Sequence, residues 1–436
     1  METNRRIPEI EFSSAEEIIR CQEKKLAESI QYLNKNSRFY ADMFSRENIN
    51  PDDIRTIKDL KKIPFTTKDD LNYYNEQFIC VERNKITDYV TTSGTIGDPV
   101  TFALTDGDLE RLAYNEYISF ICSDGSPDDI YQLMCTIDRR FMAGLAYFLG
   151  IRKLGAGVIR VGNGLPELQW DTIRRMKPTL LIAVPSFILK MLEYADRTGI
   201  DYNSTSVTKA VCIGENIRNS DFSYNSIGKK ITERWNIKLY STYASTEMGT
   251  SFIECGSGCG GHLHPELIIA EILDENGNEV GEGETGELVF TSLGVEGMPL
   301  LRYRSGDLCQ FFSAPCACGR NTIRLGPIVG RRHHMIKYRG TTLYPPALYD
   351  ILDSIREVSM YYVEVYTNEI GTDEILIHVN IQGDTGIVEG LIKDKIRAKV
   401  RVAPRIIVED PETLKKIVLP EISRKPVKFI DRRQNL

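Results

Sequence analysis

Apolar and polar positions alternate at two different periods along this chain, and the changes of period divide it. Over residues 14–46 Ile18, Ile19, Leu26, Ile30 and Leu33 recur on one face, which predicts a helix, and Ser14 followed three residues later by Glu17 has the form of a capping box. Thr66 and Thr67 before Lys68-Asp69-Asp70-Leu71 open another helix. Short apolar runs then predict strands over 130–135, 157–161, 180–184, 209–213 and 238–243, with helical patterns over 141–154, 166–176, 186–198 and 222–235 between them. Strands joined through helices need crossovers and therefore pair in parallel, so this part reads as an α/β sheet.

From about Ile268 the helical period stops. Residues 268–273, 286–292 and 309–312 are strand-like, and Asp274-Glu275-Asn276-Gly277-Asn278 is a hairpin turn after the first of them. A small β subdomain over about 265–330 follows from this pattern. Beyond Gly330 helices (346–355, 385–400) and strands (361–367, 374–381, 405–408) alternate again, predicting a separate α+β domain over 331–436. With 436 residues, 42% hydrophobic and 26% charged, the chain is long enough for two or three ordinary globular domains. The net charge of −7 argues against a nucleic-acid partner. Apolar runs stay short of the ~20 residues that span a bilayer, and the N-terminus lacks a signal-peptide core, so we expect a cytoplasmic protein with no membrane partner.

Candidate chemistry begins at Thr91-Thr92-Ser93-Gly94-Thr95-Ile96-Gly97-Asp98-Pro99. Glycines expose backbone amides and hydroxyls add donors, which suits a polyphosphate; a polar turn between strands is the plainer reading, and the loop lacks the lysine of a Walker motif. Tyr243-Ala244-Ser245-Thr246-Glu247 ends a strand with an aromatic, hydroxyls and a carboxylate, at the sheet edge where open α/β folds bind ligands. Tyr303-Arg304-Ser305-Gly306-Asp307 places a carboxylate at a glycine turn, suited to accepting from two ribose hydroxyls. Gly330-Arg331-Arg332-His333-His334 stands at the boundary of the last domain, and Arg424-Lys425-Pro426-Val427-Lys428 supplies cations near the end.

In order and spacing these motifs resemble those of the adenylate-forming enzymes, and more narrowly the phenylacetate-CoA ligase and coenzyme F390 synthetase branch. Ser37-Arg38-Phe39-Tyr40 and Ile63-Pro64-Phe65-Thr66-Thr67 are similar to that branch's entry segment. The resemblance implies a large adenylate-forming domain over 1–330, binding ATP and the acyl group, and a mobile domain over 331–436. By the same resemblance Thr92, Ser93, Gly94, Thr95 and Gly97 hold the β and γ phosphates of ATP. Gly214 and Glu215 meet the adenine and Tyr243 stacks on it, with Ala244 and Ser245 also among the nucleotide-binding residues. Thr246 bonds the α-phosphate, Glu247 holds Mg²⁺, and Asp307 with Arg331 takes the ribose. Lys425, with Lys428 as its rival, reaches the reacting oxygens. Phe141, Ala143 and Gly144 line the acyl pocket, in a segment where Phe141 and Met142 read equally well as core.

The implied reaction joins a small-molecule carboxylic acid, aryl or arylacetic, to AMP and then to coenzyme A, in a homodimer. Adenylylation of a cofactor hydroxyl, transfer to another acceptor, and nucleotide binding without catalysis remain alternatives. Two departures matter. Asp98 stands where the loop often has lysine, and His333-His334 replaces the usual Asp-Asp hinge, which would make the hinge charge vary near neutral pH.

Ten cysteines in such a chain do not read as a disulfide framework. Six are scattered among apolar neighbours, but Cys255, Cys259, Cys316 and Cys318 fall in two short polar loops together with His262 and His264. Reduced thiols in glycine-rich turns are one reading. The stronger one is a structural Zn²⁺ on Cys255, His262, Cys316 and Cys318, with Cys259 as an alternative to His262.

Overall fold

The Ser14–Glu17 box opens helix α1 (Ala15–Asn36): the Ser14 hydroxyl accepts from the Glu17 amide, and the Glu17 carboxylate accepts from the Ser14 amide at 2.9 Å. The computed structural model describes residues 7–92, 99–338, 341–369, 372–400, 404–420 and 426–433. The single helix expected over 14–46 is two. Ser37 adopts extended backbone, and its hydroxyl caps a second helix, α2 (Arg38–Arg46), by accepting from the Tyr40 amide. A short α3 (Lys68–Tyr73) starts at Thr67, which forms a capping box with Asp70.

The described chain separates into two units, one drawn from Met1–Ser223, Lys230–Ser305 and Cys309–Pro327, the other from Tyr224–Lys229, Gly306–Leu308 and Ile328–Leu436. In the first, β1 (Ile86–Thr91) and β2 (Thr101–Thr105) form an antiparallel ladder with Thr91 opposite Thr101. Helix α4 (Asp106–Cys122) follows, and the apolar pattern did not predict it. Its inward positions include Asp108, Arg111, Asn115, Glu116 and Ser119, so burial there is not written as hydrophobicity.

The alternation then runs β3 (Ile130–Leu133), α5 (Met142–Leu154), β4 (Gly157–Arg160), α6 (Pro166–Met176), β5 (Leu180–Ala183), α7 (Pro185–Thr198), β6 (Lys209–Cys212), α8 (Ser226–Thr232) and β7 (Lys238–Ser245). Helix α8 is shorter than the expected 222–235, and Phe222 has φ 65°, which a helix start does not tolerate. After β7 come β8 (Thr250–Glu254), β9 (Gly261–His262), β10 (Ile268–Leu273), β11 (Gly286–Ser292), β12 (Tyr303–Cys309), β13 (Phe311–Phe312) and β14 (Arg324–Leu325). The strand expected over 309–312 is therefore two, and the first begins at Tyr303.

Nine strands form one sheet in the order β13-β14-β9-β8-β7-β6-β5-β3-β4. It is parallel from β4 to β7 and antiparallel from β7 to β13. All four residues of β5 are buried, as its unbroken apolar run requires of a strand covered on both faces. Phe120, Tyr131, Leu133, Tyr147, Ile151, Ile182, Val211, Tyr240 and Ile253 pack into one core, which extends to Cys255 and Cys316. Strands β10 and β11 pair antiparallel from Ile268↔Ser292 to Leu273↔Glu287.

The second unit is α+β. It contains β15 (Gly330–Arg331), a hairpin of β16 (Ile336–Tyr338) and β17 (Thr341–Leu343), α9 (Pro345–Asp353), β18 (Val358–Thr367), β19 (Asp373–Ile381), α10 (Thr385–Val400), β20 (Arg405–Val408), α11 (Pro411–Val418) and β21 (Phe429–Asp431). The sheet order is β20-β19-β18-β21, antiparallel at the centre and parallel at both edges. Among the described residues no helix is long and apolar enough to cross a membrane.

Candidate active site and Cys/His cluster

Two neighbouring parallel strands deliver polar groups to one edge of the first unit. Cys212 of β6 lies opposite Ser241 of β7, so Gly214 and Tyr243 stand two residues beyond matched positions on adjacent strands. Gly214 takes φ 75°, which turns the chain sharply as it leaves β6. Glu215 then reaches the start of α7, where its carboxylate accepts from the Ser186 amide at 2.9 Å and the Ser186 hydroxyl at 3.0 Å. A carboxylate on the first turn of a helix is favoured by the helix dipole, so Glu215 fixes the loop that carries it.

Strand β7 ends in a tight return to β8. Tyr243 is half-buried with its ring 6.1 Å from Phe252, Ala244 is exposed, and the Ser245 hydroxyl accepts from the Met248 amide at 3.3 Å. Thr246 and Glu247 lie in this return and line a cavity of about 20 Å³ with Phe102, Leu112, Met142 and Met298. That is room for a water or a methyl group.

The return is held from behind by Arg111 of α4, which sequence reasoning missed. Its guanidinium donates to three backbone carbonyls: Gly249 at 2.5 Å, Leu267 at 2.7 Å and Leu293 at 2.8 Å. Burial lowers its pKa to about 10, which leaves it cationic at neutral pH. It lies in a helix whose buried side is largely polar, so no apolar period marks it.

Thr92 closes the neck of the hydroxyl-rich loop, with its amide on the Val100 carbonyl and its hydroxyl accepting from the Val100 amide, both at 3.0 Å. Ser93, Gly94, Thr95, Gly97 and Asp98 lie outside the described residues, as does Lys425. The Thr91 amide bonds the Arg140 carbonyl, which brings residues 139–144 beside that neck. Phe141 and Ala143 pack against the core, and a Cβ at Gly144 would collide with the Thr136 carbonyl, so that glycine permits close packing. Met142, rather than Phe141, Ala143 or Gly144, lines the cavity beside Thr246 and Glu247.

In the second unit Asp307 and Arg331 face each other across β12 and β15, and the guanidinium donates to the carboxylate at 2.9 Å. His334 packs 4.5 Å from the Phe429 ring, and burial, aided by Arg331, lowers its pKa to about 4. The hinge charge expected to vary near neutral pH therefore does not come from His334, which is neutral there. Arg433 holds the same segment through the His333 and Met335 carbonyls. Lys428 is engaged within its own unit, 3.2 Å from Asp353 and over the Tyr361 ring.

The ligating atoms of Cys255, His262, Cys316 and Cys318 all lie within 4.8 Å of one another. Cys255 follows β8, His262 lies on β9, and the other two sit in a turn closed by the Gly319 amide on the Cys316 carbonyl. The Cys255 and Cys316 sulfurs are 3.6 Å apart, and the Cys318 sulfur is 3.5 Å from His262 Nε2. Zn–S bonds of about 2.3 Å in a tetrahedron put sulfurs about 3.8 Å apart, close to the Cys255–Cys316 spacing, so the donor set is of the kind a tetrahedral metal takes. His262 Nδ1 is paired with Thr322 Oγ1 at 2.9 Å, leaving Nε2 aimed inward.

Cys259 stands aside from the four, with its sulfur 2.9 Å from Arg324 Nη1 and 3.8 Å from the Cys316 sulfur. His264 lies outside the four as well. Its ring joins Ser119 Oγ at 2.9 Å to the Glu11 carboxylate at 2.5 Å, and Glu11 in turn accepts from Arg320 at 2.6 Å.

A family model described as AMP-binding enzyme matches residues 15–297. The chain is 30% identical over 379 residues to phenylacetate-coenzyme A ligase of Thermus thermophilus, spanning 86% of this chain and 84% of that one. To the phenylacetate-coenzyme A ligase of Aromatoleum evansii it is 27% identical over 442 residues, spanning 97% and 96%. Its fold is similar to that of 2-hydroxyisobutyryl-CoA ligase in the postadenylation state, with a TM-score of 0.85 at 21% identity over 97% of this chain and 91% of that one. On the family match and these identities, the chain belongs to the AMP-binding enzyme family.

Proposed function

We propose that the protein is an AMP-forming acid:CoA ligase. It joins a carboxylic acid to AMP with release of pyrophosphate, then passes the acyl group to the thiol of coenzyme A. The observation that carries this reading is the convergence of Gly214-Glu215 and Tyr243-Ala244-Ser245-Thr246-Glu247 at matched ends of adjacent parallel strands, in a chain of this family. Tyr243 offers a half-exposed ring for the adenine, and the Thr246 hydroxyl donates to the α-phosphate. The hard oxygens of Thr246 and Glu247 at the rim of one cavity suit Mg²⁺, which would neutralise charge as the carboxylate approaches phosphorus. The family pattern assigns the phosphates to the loop at 92–97, the ribose to Asp307 and Arg331, and the reacting oxygens to Lys425.

Cys255, His262, Cys316 and Cys318 would hold a structural Zn²⁺, since four protein ligands leave no open position for chemistry. Phenylacetate heads the candidate acids because the relatives above carry that name. A cytoplasmic homodimer completes the reading.

Acid-dependent exchange of labelled pyrophosphate into ATP tests it, run over phenylacetate, benzoate and short aliphatic acids, with thioester followed after CoA is added. Exchange with at least one acid and a thioester with CoA are expected. Absence of exchange with every acid would overturn the reading.

A further inference from the structure

Glu254, the residue before Cys255, is buried and joins three parts of the first unit. Its carboxylate accepts from Arg218 Nε at 2.6 Å and from the Ser241 amide of β7 at 3.1 Å, and it also takes the Gly260 amide. Ser241 lies two residues before Tyr243, while Gly260 lies inside the loop between Cys255 and His262. Arg218 belongs to the segment that leaves β6 through Gly214 and Glu215, and its Nη1 donates to the Phe222 carbonyl at 2.9 Å, closing that segment's far end. The guanidinium lies close against the cysteine loop: Gly258 has φ 63°, and a Cβ there would collide with Arg218. The loop that carries Cys255, Cys259 and His262 is thus shaped around the arginine that holds the nucleotide segment.

We propose that the Glu254–Arg218 pair is the positioning element through which the Cys/His cluster fixes the nucleotide loop, so that a ligated cluster is needed for full affinity for the adenine nucleotide. This rests on the reading of residues 214–215 and 243 as the adenine site. When the four ligands converge on a metal, Gly258 and Gly260 hold their places, and Glu254 and Arg218 keep theirs. Without convergence the loop relaxes, and the buried pair loses one wall of its pocket. Arg218 touches no reacting atom; it acts through the segment it closes.

A double-mutant cycle on binding of AMP alone, measured by calorimetry, decides the matter. Cys318→Ser and Arg218→Met are each expected to weaken AMP by about tenfold, and the double variant by less than twofold more than either, because coupled residues are not additive. Arg218→Lys keeps the charge for Glu254 but not the Phe222 bond, and is expected to recover about half of the loss on a logarithmic scale. In pyrophosphate exchange the Arg218 variants should raise KM for ATP and leave kcat and the calorimetric stoichiometry in place, which a merely misfolded fraction would not do.

Should Cys318→Ser fail to fold, removing zinc from the wild type and from Arg218→Met with a chelator replaces it, with release followed by a metal-binding dye. Additive losses, or no change in AMP affinity when the cluster is broken, would overturn the coupling while leaving the ligase reading intact. Failure of the wild type to bind AMP or ATP would remove both.

Discussion

Two regions of the same nine-stranded sheet are built in opposite ways. At the carboxyl edge of β6 and β7 the groups that face outward are exposed or half-buried, and backbone-directed contacts brace the turns that carry them: Glu215 on the Ser186 amide, Ser245 on the Met248 amide, and the buried Arg111 on the Gly249 carbonyl. At the antiparallel end, Cys255, His262 and Cys316 are buried, and the groups around them are tied to one another through Thr322, Arg320, Glu11 and Arg324. The first arrangement suits a ligand that comes and goes. The second is closed in by buried polar partners, which suits the structural centre proposed for it.

The largest effect should come from the exchanging edge. Glu247→Gln preserves volume but removes the charge offered to Mg²⁺, and we expect adenylation to fall on the order of 10²–10³-fold. Stability measured by denaturant should change by less than about 0.5 kcal/mol, as for other partly exposed sites. If exchange persists at near wild-type rate, the edge is not where the metal sits. The locked end should show the reverse. Cys316→Ser is expected to abolish bound zinc by elemental analysis and to cost about 3 kcal/mol of stability. Wild-type protein isolated without chelator and free of zinc would sink that prediction.

The contrast also explains what the sequence revealed. Strand β5 was readable because a strand buried on both faces must be apolar along its length, as Leu180-Leu181-Ile182-Ala183 is. The convergence of Cys255, His262, Cys316 and Cys318 was readable because soft donors cluster in two short loops of the sequence. Helix α4 was not, because its buried side carries Asp108, Arg111, Asn115 and Glu116 in hydrogen-bonded positions. The partners of Arg111 lie 138 to 182 residues away, and His264 meets Glu11 across 253, which no local period encodes. Ser37 shows the same limit at short range, since apolar spacing continues through a break that its hydroxyl makes.

Glu116 tests how far the locked interior extends. Burial lifts its pKa to about 8, opposed by a hydrogen bond from Asn115 at 2.9 Å, so it is protonated at neutral pH. A carboxyl whose folded pKa exceeds its unfolded value near 4.3 stabilises the fold fully below that value. The contribution is lost as pH rises and levels off above the folded pKa. Between pH 5 and 8 the wild type should lose about 2–4 kcal/mol through this group, and Glu116→Gln should be flatter over the range and more stable at pH 8. Parallel pH profiles of the two proteins would contradict the burial argument.

The smallest effect sharpens the comparison most, because Glu215 is the residue where fixing and binding meet. Glu215→Gln keeps one acceptor for Ser186 but removes the negative charge from the start of α7, which should cost about 1 kcal/mol. In a unit of this size that is a melting shift of roughly 2–4 °C. If the carboxylate serves chiefly to place its loop, AMP affinity should fall only about threefold and in step with the stability loss, since one cap is worth about as much as the order it imposes. A tenfold or larger loss of affinity with an unchanged melting temperature would instead make Glu215 a direct ligand of the adenine, and the edge would owe its shape to Arg111 and Ser245 alone.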